Sequence, residues 1–494
     1  ALTLWVAARQ GGHRLALAVA AGLAVLSHLY GTQVLTEPWN PYMPVMWWPL
    51  AMLALWAVVC GDLPMAPVAV LAASFCLQTH ISYLGLVGGF AAAAAVWVAV
   101  RAHRLRGDPP ARRRLLGWSA AALGLGVVLW LPPLIDQVTG SPGNLGIVYG
   151  HFRDPVDEPI GVARGAELFA VHLNPWRLLA GQPGTSGSVV PALAFVAAWA
   201  AAAVAAWRLP RAAGRTRDRL VRLHAVIGVA LVLGFVSSAR ILGFVWHYLI
   251  LWAWGLNMLA IVAVAWTVGA VLAARPAGAH PAVARAATGL AAAVLVAWTV
   301  AFSFDAAKAE PTQANYSAVV GELAGAVTAA VDAGAVPGGG PGGRYLVTWT
   351  DGVNLGSTSF GLLDELERRG YDVGVVEHFG TAARPHRVMR AGEPTAEIHV
   401  SVGPDIATWD AKPEFERVAL VDLRSDDERA AVARARRAAI ARLGRDGQHD
   451  LVPLVDEGPF QLYFREGLAD DTRAAVKVIN DIGQPTAVFV GPVR

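Results

Sequence analysis

Glu37, His80 and Asp136 are the residues of this chain best suited to acid–base chemistry at the edge of an apolar medium. Each lies close to the end of a long apolar run. Glu37 sits in Thr36-Glu37-Pro38-Trp39-Asn40, and His80 in Gln78-Thr79-His80-Ile81-Ser82-Tyr83. Asp136 follows Leu131-Pro132-Pro133-Leu134-Ile135 and precedes Gln137, Gly143 and Asn144. A carboxylate beside an imidazole at such a boundary can serve as a general base, because burial raises a carboxyl pKa toward working pH. Trp39, Asn40, Gln78, Tyr83, Gln137, Asn144 and His247 stand at the same boundaries, with groups that could stack on or hydrogen-bond a polar substrate. The same residues have plainer uses. Glu37-Pro38 suits a turn, Trp39, Trp47 and Trp48 suit an interfacial aromatic belt, and His80 suits backbone satisfaction in a hairpin.

These groups can share a site only if the runs that carry them end on one side of a membrane. A hydrocarbon core of about 30 Å takes ~20 helical residues to cross. Apolar stretches near 14–34, 43–59, 64–79, 83–100, 116–133, 188–207, 223–239, 243–273 and 285–304 give nine candidate spans, provided the chain turns tightly at Gln78-Thr79-His80. Arginine tests that count, since short translocated loops are poor in Lys and Arg. Arg9 and Arg14 precede the first span, and Arg101, Arg104, Arg106, Arg112, Arg113 and Arg114 follow the fourth. Arg208, Arg211, Arg215, Arg217, Arg219 and Arg222 follow the sixth, and Arg275 and Arg285 flank the loop after the eighth. With nine spans all of these fall on one side, which makes it cytoplasmic. Glu37, His80, Asp136 and His247 then fall on the other, along with everything after Phe302. The reading is a multi-pass plasma-membrane protein with an extracytoplasmic C-terminal domain.

Composition agrees. A mean hydropathy of +0.45 and 55% hydrophobic residues exclude an ordinary soluble globule. The net charge of +3 follows from loop arginines rather than a nucleic-acid surface. Cys60 and Cys76 fall at opposite faces of the bilayer, so no disulfide or metal framework follows. Ala1–Ala8 reads as the tail of an apolar helix without a signal-peptide pattern, and spans upstream of Ala1 are expected.

Two long segments remain. In the loop 134–187, Leu168, Phe169, Val171, Leu173, Trp176 and Leu179 recur at roughly helical spacing, which suggests a helix lying in the interface as a cover or lid. Residues 310–494 form a second domain after the membrane domain of 1–309. Its strands are expected at Tyr345–Trp349, Tyr371–Val376, Glu397–Val402 and Val418–Leu423. Helices at Ala314–Ala333, Phe360–Arg369 and Asp426–Leu443 alternate with them, and Pro337-Gly338-Gly339-Gly340-Pro341-Gly342-Gly343 forms a flexible lead-in, giving a small α/β domain. Asp351, Gly352, Gly356 and Gly361 follow the first strand in an order that can present backbone N–H groups to an anion, although the glycines more often form turns.

The Glu37-Pro38-Trp39-Asn40-Pro41 loop, the Gln78–Tyr83 hairpin and the Leu131–Gln137 segment with Gly143-Asn144 resemble the polytopic GT-C glycosyltransferase-like proteins of actinobacteria. That resemblance implies a GT-C-like helical membrane domain and a sugar donor carried on polyprenyl phosphate. The sugar would pass to a cell-wall glycan or glycolipid acceptor at the outer face, with membrane lipid as the surrounding partner and no nucleic acid. In that superfamily the catalytic carboxylate usually lies in the first external loop, so it would stand upstream of Ala1 if spans are missing there. No cofactor follows from the residues, and a divalent cation stays open. Two other readings stand beside the transferase: a transporter or flippase of lipid-linked sugars, with Asn257 as the clearest mid-span polar residue, and a non-catalytic protein whose external domain binds envelope polymer.

Overall fold

A computed structural model describes the chain except residues 141–142, 183, 275–280, 312–313, 335–339, 341, 354–355, 466 and 494. Arg275 and, of the Pro337–Gly343 lead-in, residues 337–339 and 341 lie outside the described residues. The chain forms two compact units, Ala1–Glu310 and Pro311–Arg494.

The first unit is a helical bundle: α1 (Leu2–Thr36), α2 (Trp47–Val59), α3 (Ala66–Thr79), α4 (Leu84–Arg104), α5 (Pro109–Thr139), α6 (Asn144–Arg153), α7 (Gly161–His172), α8 (Pro175–Leu179), α9 (Val190–Arg208), α10 (Gly214–Ala239), α11 (Trp252–Ala273) and α12 (Pro281–Ala307). Among the described residues, α1, α4, α5, α9, α10, α11 and α12 are the seven helices long and apolar enough to cross a membrane. α2 and α3 are apolar but shorter, so the nine expected spans resolve into seven long helices and two short ones. A helix of thirteen residues reaches only ~20 Å. α2 has that length, and ten of its residues are buried, so its surroundings are protein rather than lipid.

α2 runs antiparallel to α3 and to α10, and α1 runs antiparallel to α11. Trp47 at the start of α2 packs on Phe75 near the end of α3, with ring centroids 4.7 Å apart. Trp56 Nε1 in α2 donates 2.9 Å to the Arg219 carbonyl near the start of α10. The Tyr30 hydroxyl in α1 donates 2.9 Å to the Leu251 carbonyl just ahead of α11. One end of the bundle therefore holds Glu37, His80, Ala239 and His247, and the opposite end holds Arg9, Asp62 and Arg219. α1 is itself broken: Gly12 and Gly31 have φ of 73° and 70°, so Leu2–Gly11 leaves the axis of the long middle segment.

Pro132 and Pro133 do not end α5, which continues to Thr139. A proline removes the N–H that would bond the carbonyl four residues earlier. For Pro133 that carbonyl belongs to Leu129, and the Gln78 side-chain amide donates to it at 3.0 Å. A neighbouring helix thus satisfies the backbone group that the proline frees, as apolar surroundings require. Gln78→Ala should lower stability by about 1 kcal/mol, the worth of one such bond. A thermal melt in detergent checks this, and Gln78→Glu, which cannot donate, should do no better.

α7 and α8 replace the single interfacial helix expected from the spacing of Leu168 to Leu179. Asn174 breaks the run: its side chain caps the Trp176 amide at 3.0 Å, with Pro175 at the first helical position. α7 turns its apolar face into the bundle, burying Leu168, Phe169 and Val171 against α10 and α11. Gly165 allows this approach, because a Cβ there would meet the Ala239 Cα at 2.5 Å. Asn257 is not isolated either. Its Nδ2 donates 3.0 Å to the His172 carbonyl, one of the orphan carbonyls at the end of α7.

The second unit opens with α13 (Ala314–Asp332) and carries β1 (Arg344–Thr350), α14 (Ser357–Arg368), β2 (Asp372–Gly374), β3 (Ala396–Val402), β4 (Glu416–Val421) and β5 (Thr486–Gly491). The sheet order is β2-β1-β3-β5-β4. β1 runs parallel to β2 and β3, while β5 enters antiparallel between β3 and β4. β5 is an apolar, fully buried run without alternation, as suits a strand covered on both faces. The unit is a mixed α/β domain. Its Asp351 carboxylate accepts from the Val353 and Gly356 amides, both at 3.0 Å, so the glycine loop after β1 folds around a carboxylate of its own.

Candidate functional site

Glu37 caps α1. Its backbone is extended (φ −74°, ψ 125°) because the following Pro38 disfavours helix at the preceding residue. One carboxylate oxygen, Oε2, is buried and has no hydrogen-bond partner. Buried polar atoms are nearly always paired, so an unpaired carboxylate oxygen is the most informative atom in this region.

The loop after Glu37 builds an aromatic wall beside it. The Tyr42 amide donates to the Trp39 carbonyl at 2.9 Å, which folds the two rings edge to face with centroids 4.9 Å apart. Trp39 also packs edge-on against Tyr248 at 4.8 Å. The Tyr42 hydroxyl lies 3.4 Å from His247 Nε2. The pKa of that hydroxyl is pushed up to about 12, first by burial and then by the charges of Glu37 and Tyr248. It therefore stays protonated and able to donate. Trp39 remains 39% exposed, leaving part of its ring free to meet a ligand.

His80 closes the far side. It packs edge-on against Tyr248, with centroids 5.8 Å apart. It caps a short 3₁₀ turn, Ile81–Tyr83, where the Ser82 amide donates to Nδ1 at 3.3 Å and the Ser82 hydroxyl lies 2.8 Å away. With Nδ1 accepting, the neutral ring carries its proton on Nε2. Burial pushes the His80 pKa down to about 4, so at neutral pH the ring is an uncharged donor and not a cation. A depressed histidine pKa stabilises the fold fully above the unfolded value of about 6.5, and that stability is lost as pH falls toward 4. Melting temperatures measured in detergent should be flat from pH 8 to 7 and fall between pH 6.5 and 4, with a smaller fall in His80→Gln.

Glu37, Trp39, His80 and His247 are thus joined through Tyr42 and Tyr248. The other candidates make contacts of their own. Asp136 Oδ2 accepts from the Asn144 amide at 2.8 Å, and Gln137 Oε1 from the Gly146 amide at 2.9 Å, so both side chains cap the start of α6. Gln78 is committed to Leu129, and Tyr83 is 1% exposed, packed on Trp48. Asn40 is exposed in the same loop as Trp39. Residue type alone does not single out Tyr42, yet it links the two halves of the cluster. Its signal in the sequence is its place three residues after Trp39, one turn further on.

Positive charge near this end is mostly engaged. Arg164 pairs with Glu167 at 2.7 Å, Arg153 lies 3.8 Å from Asp154, and Arg177 bonds the Gln182 and Ser186 carbonyls. Arg240, at the end of α10, is exposed and makes no ion pair among the described residues. Among those residues no group of three or more His, Cys, Asp or Glu could hold a metal ion.

The fold defines a polytopic helical membrane protein with a smaller mixed α/β domain after its last long apolar helix. No family model, curated protein or solved structure matches the chain.

Proposed function

We propose that this protein transfers a sugar from a polyprenyl-phosphate donor to a cell-envelope acceptor at the outer face of the plasma membrane. The observation that carries the reading is the buried, unpartnered Glu37 oxygen beside an aromatic wall that is partly open at Trp39. In this mechanism the Glu37 carboxylate removes the proton from an acceptor hydroxyl, the oxygen attacks the anomeric carbon, and the bond to the polyprenyl phosphate breaks. The phosphate leaves as an anion, stabilised by Arg240 and by the neutral His80 Nε2–H. Trp39 stacks on the sugar ring, while Tyr42 and His247 orient its hydroxyls. Asp136 and Gln137 support the site by holding α6 rather than by touching substrate. A divalent cation bound with the donor phosphate is compatible with this arrangement.

The full chain reconstituted with a polyprenyl-phosphate pentose or hexose and a glycan acceptor tests the proposal. Sugar should appear on the acceptor, with free polyprenyl phosphate released in equal amount. Movement of intact lipid-linked sugar across the bilayer, with no transfer, would replace the transferase reading with transport. Trp39→Ala should raise KM for the donor about tenfold, the loss of one good contact, with a smaller change in kcat.

A further inference from the structure

The opposite end of the bundle holds a cavity of about 490 Å³ that the proposed transfer does not use. We propose that it binds a phosphate-bearing anion, the headgroup of an anionic phospholipid. Arg9, Arg215, Arg219 and Arg222 line it with Asp62 and Asp218, a surplus of two positive charges. The carboxylates are already occupied. Asp62 accepts both Nε and Nη2 of Arg9 at 2.9 Å and the Gln10 amide at 3.1 Å, and Asp218 lies 3.5 Å from Arg217 outside the lining. Arg215, Arg219 and Arg222 make no salt bridge among the described residues, and Arg219 is fixed instead by donating to the Gln10 carbonyl. Three guanidinium groups about one helical turn apart on α10, lining a cavity whose carboxylates are engaged by other arginines, match the charge and fork geometry of a phosphate.

The fold places this cavity at headgroup depth. α2 ends at Val59 and the apolar part of α10 begins at Leu223, directly after Arg222, so the arginines stand where hydrocarbon gives way to water. The break at Gly12 sets Leu2–Gly11 apart from the rest of α1, and this segment brings Arg9 and Gln10 to the cavity; one turn earlier Trp5 stays 45% exposed with the Arg9 guanidinium 4.8 Å from its ring centroid. An exposed tryptophan beside arginine is the pairing that settles at a membrane interface. Basic pockets between membrane helices bind acidic lipid headgroups in this way. The volume lies within the range of small-ligand sites, roughly 300–1,000 Å³.

The test compares the full chain with Arg215→Gln/Arg222→Gln, leaving the Arg9–Asp62 pair intact. Binding is measured in nanodiscs of phosphatidylcholine titrated with phosphatidylglycerol, by native mass spectrometry of retained lipid. A parallel titration with inorganic phosphate is read by tryptophan fluorescence. The double variant should lose about thirtyfold in apparent affinity, the worth of two arginines near a membrane surface. A loss confined to the lipid arm identifies the headgroup as the ligand, and a loss in the phosphate arm supports the same site with a soluble phosphate. Equal binding by both proteins in both arms overturns the proposal. If the double variant does not fold, Arg215→Gln alone, at an exposed position, should still weaken binding, and unchanged binding by that variant overturns the proposal equally. The outcome is independent of Glu37, since no transfer is measured.

Discussion

Glu37→Gln should reduce sugar transfer by ~10²–10⁴-fold, the usual contribution of a positioned general base. The substitution keeps the shape of the side chain and replaces the carboxylate carrying the buried Oε2 with an amide that cannot take a proton. Folding should be preserved, because that oxygen has no hydrogen bond to lose. Asp136→Asn is the matched control. Its oxygen accepts the Asn144 amide, an amide side chain can still offer an oxygen there, and transfer should stay within about threefold of wild type. The comparison is read from initial rates at saturating donor, where a base affects kcat. Equal losses in the two variants would remove Glu37 from its role.

Gly165→Leu should destabilise the membrane unit by about 1–3 kcal/mol or more, the cost of overpacking a tight contact. A Cβ at Gly165 meets backbone atoms of Ala239, Cα at 2.5 Å and N at 2.6 Å, which cannot rotate away. The consequence reaches the site through the chain. Just before α7, the Ile160 amide bonds the Ile241 carbonyl at 2.9 Å, and the Gly243 amide bonds the Glu158 carbonyl at 3.0 Å. Those bonds hold the segment that leads to His247 and Tyr248, and Tyr248 touches both Trp39 and His80. Moving α7 should therefore cost activity as well as melting temperature. Gly165→Ala should fall between wild type and Gly165→Leu, and an unchanged melt in both would show that the helix crossing is loose.

Much of the bundle is legible in the sequence because a span is encoded locally. Twenty apolar residues and flanking arginines are visible without knowing any partner, and α4, α5 and α9 to α12 fall where the apolar runs lie. What cannot be read depends on pairs far apart in the chain. The Pro132-Pro133 pair has the look of a span exit, but Gln78, 51 residues away from Leu129, supplies the bond that lets α5 continue. Asn257 stands alone in its span until the end of α7, 85 residues earlier, presents its carbonyl. The helical spacing of Leu168 to Leu179 indicates an apolar face, and a face does not say whether lipid or protein covers it. In the second unit β1 and β3 stand out as apolar runs before helices. β5 escapes notice because a short central strand without alternation has no periodicity of its own. For the site, Glu37, Trp39 and His80 are visible as polar or amphipathic groups at span ends. That Asp136 is committed to the start of α6 is something no spacing rule announces.

Sidedness governs the proposed donor, acceptor and lipid partner alike, and one labelling experiment reads it. In a Cys60→Ala/Cys76→Ala background, Asn40→Cys and Arg113→Cys are exposed separately to a membrane-impermeant thiol reagent on intact cells with permeable envelopes. Asn40→Cys should be labelled at once, and Arg113→Cys only after the membrane is opened. Labelling of Arg113→Cys from outside, with Asn40→Cys protected, would place the Glu37 site in the cytosol and contradict transfer at the outer face.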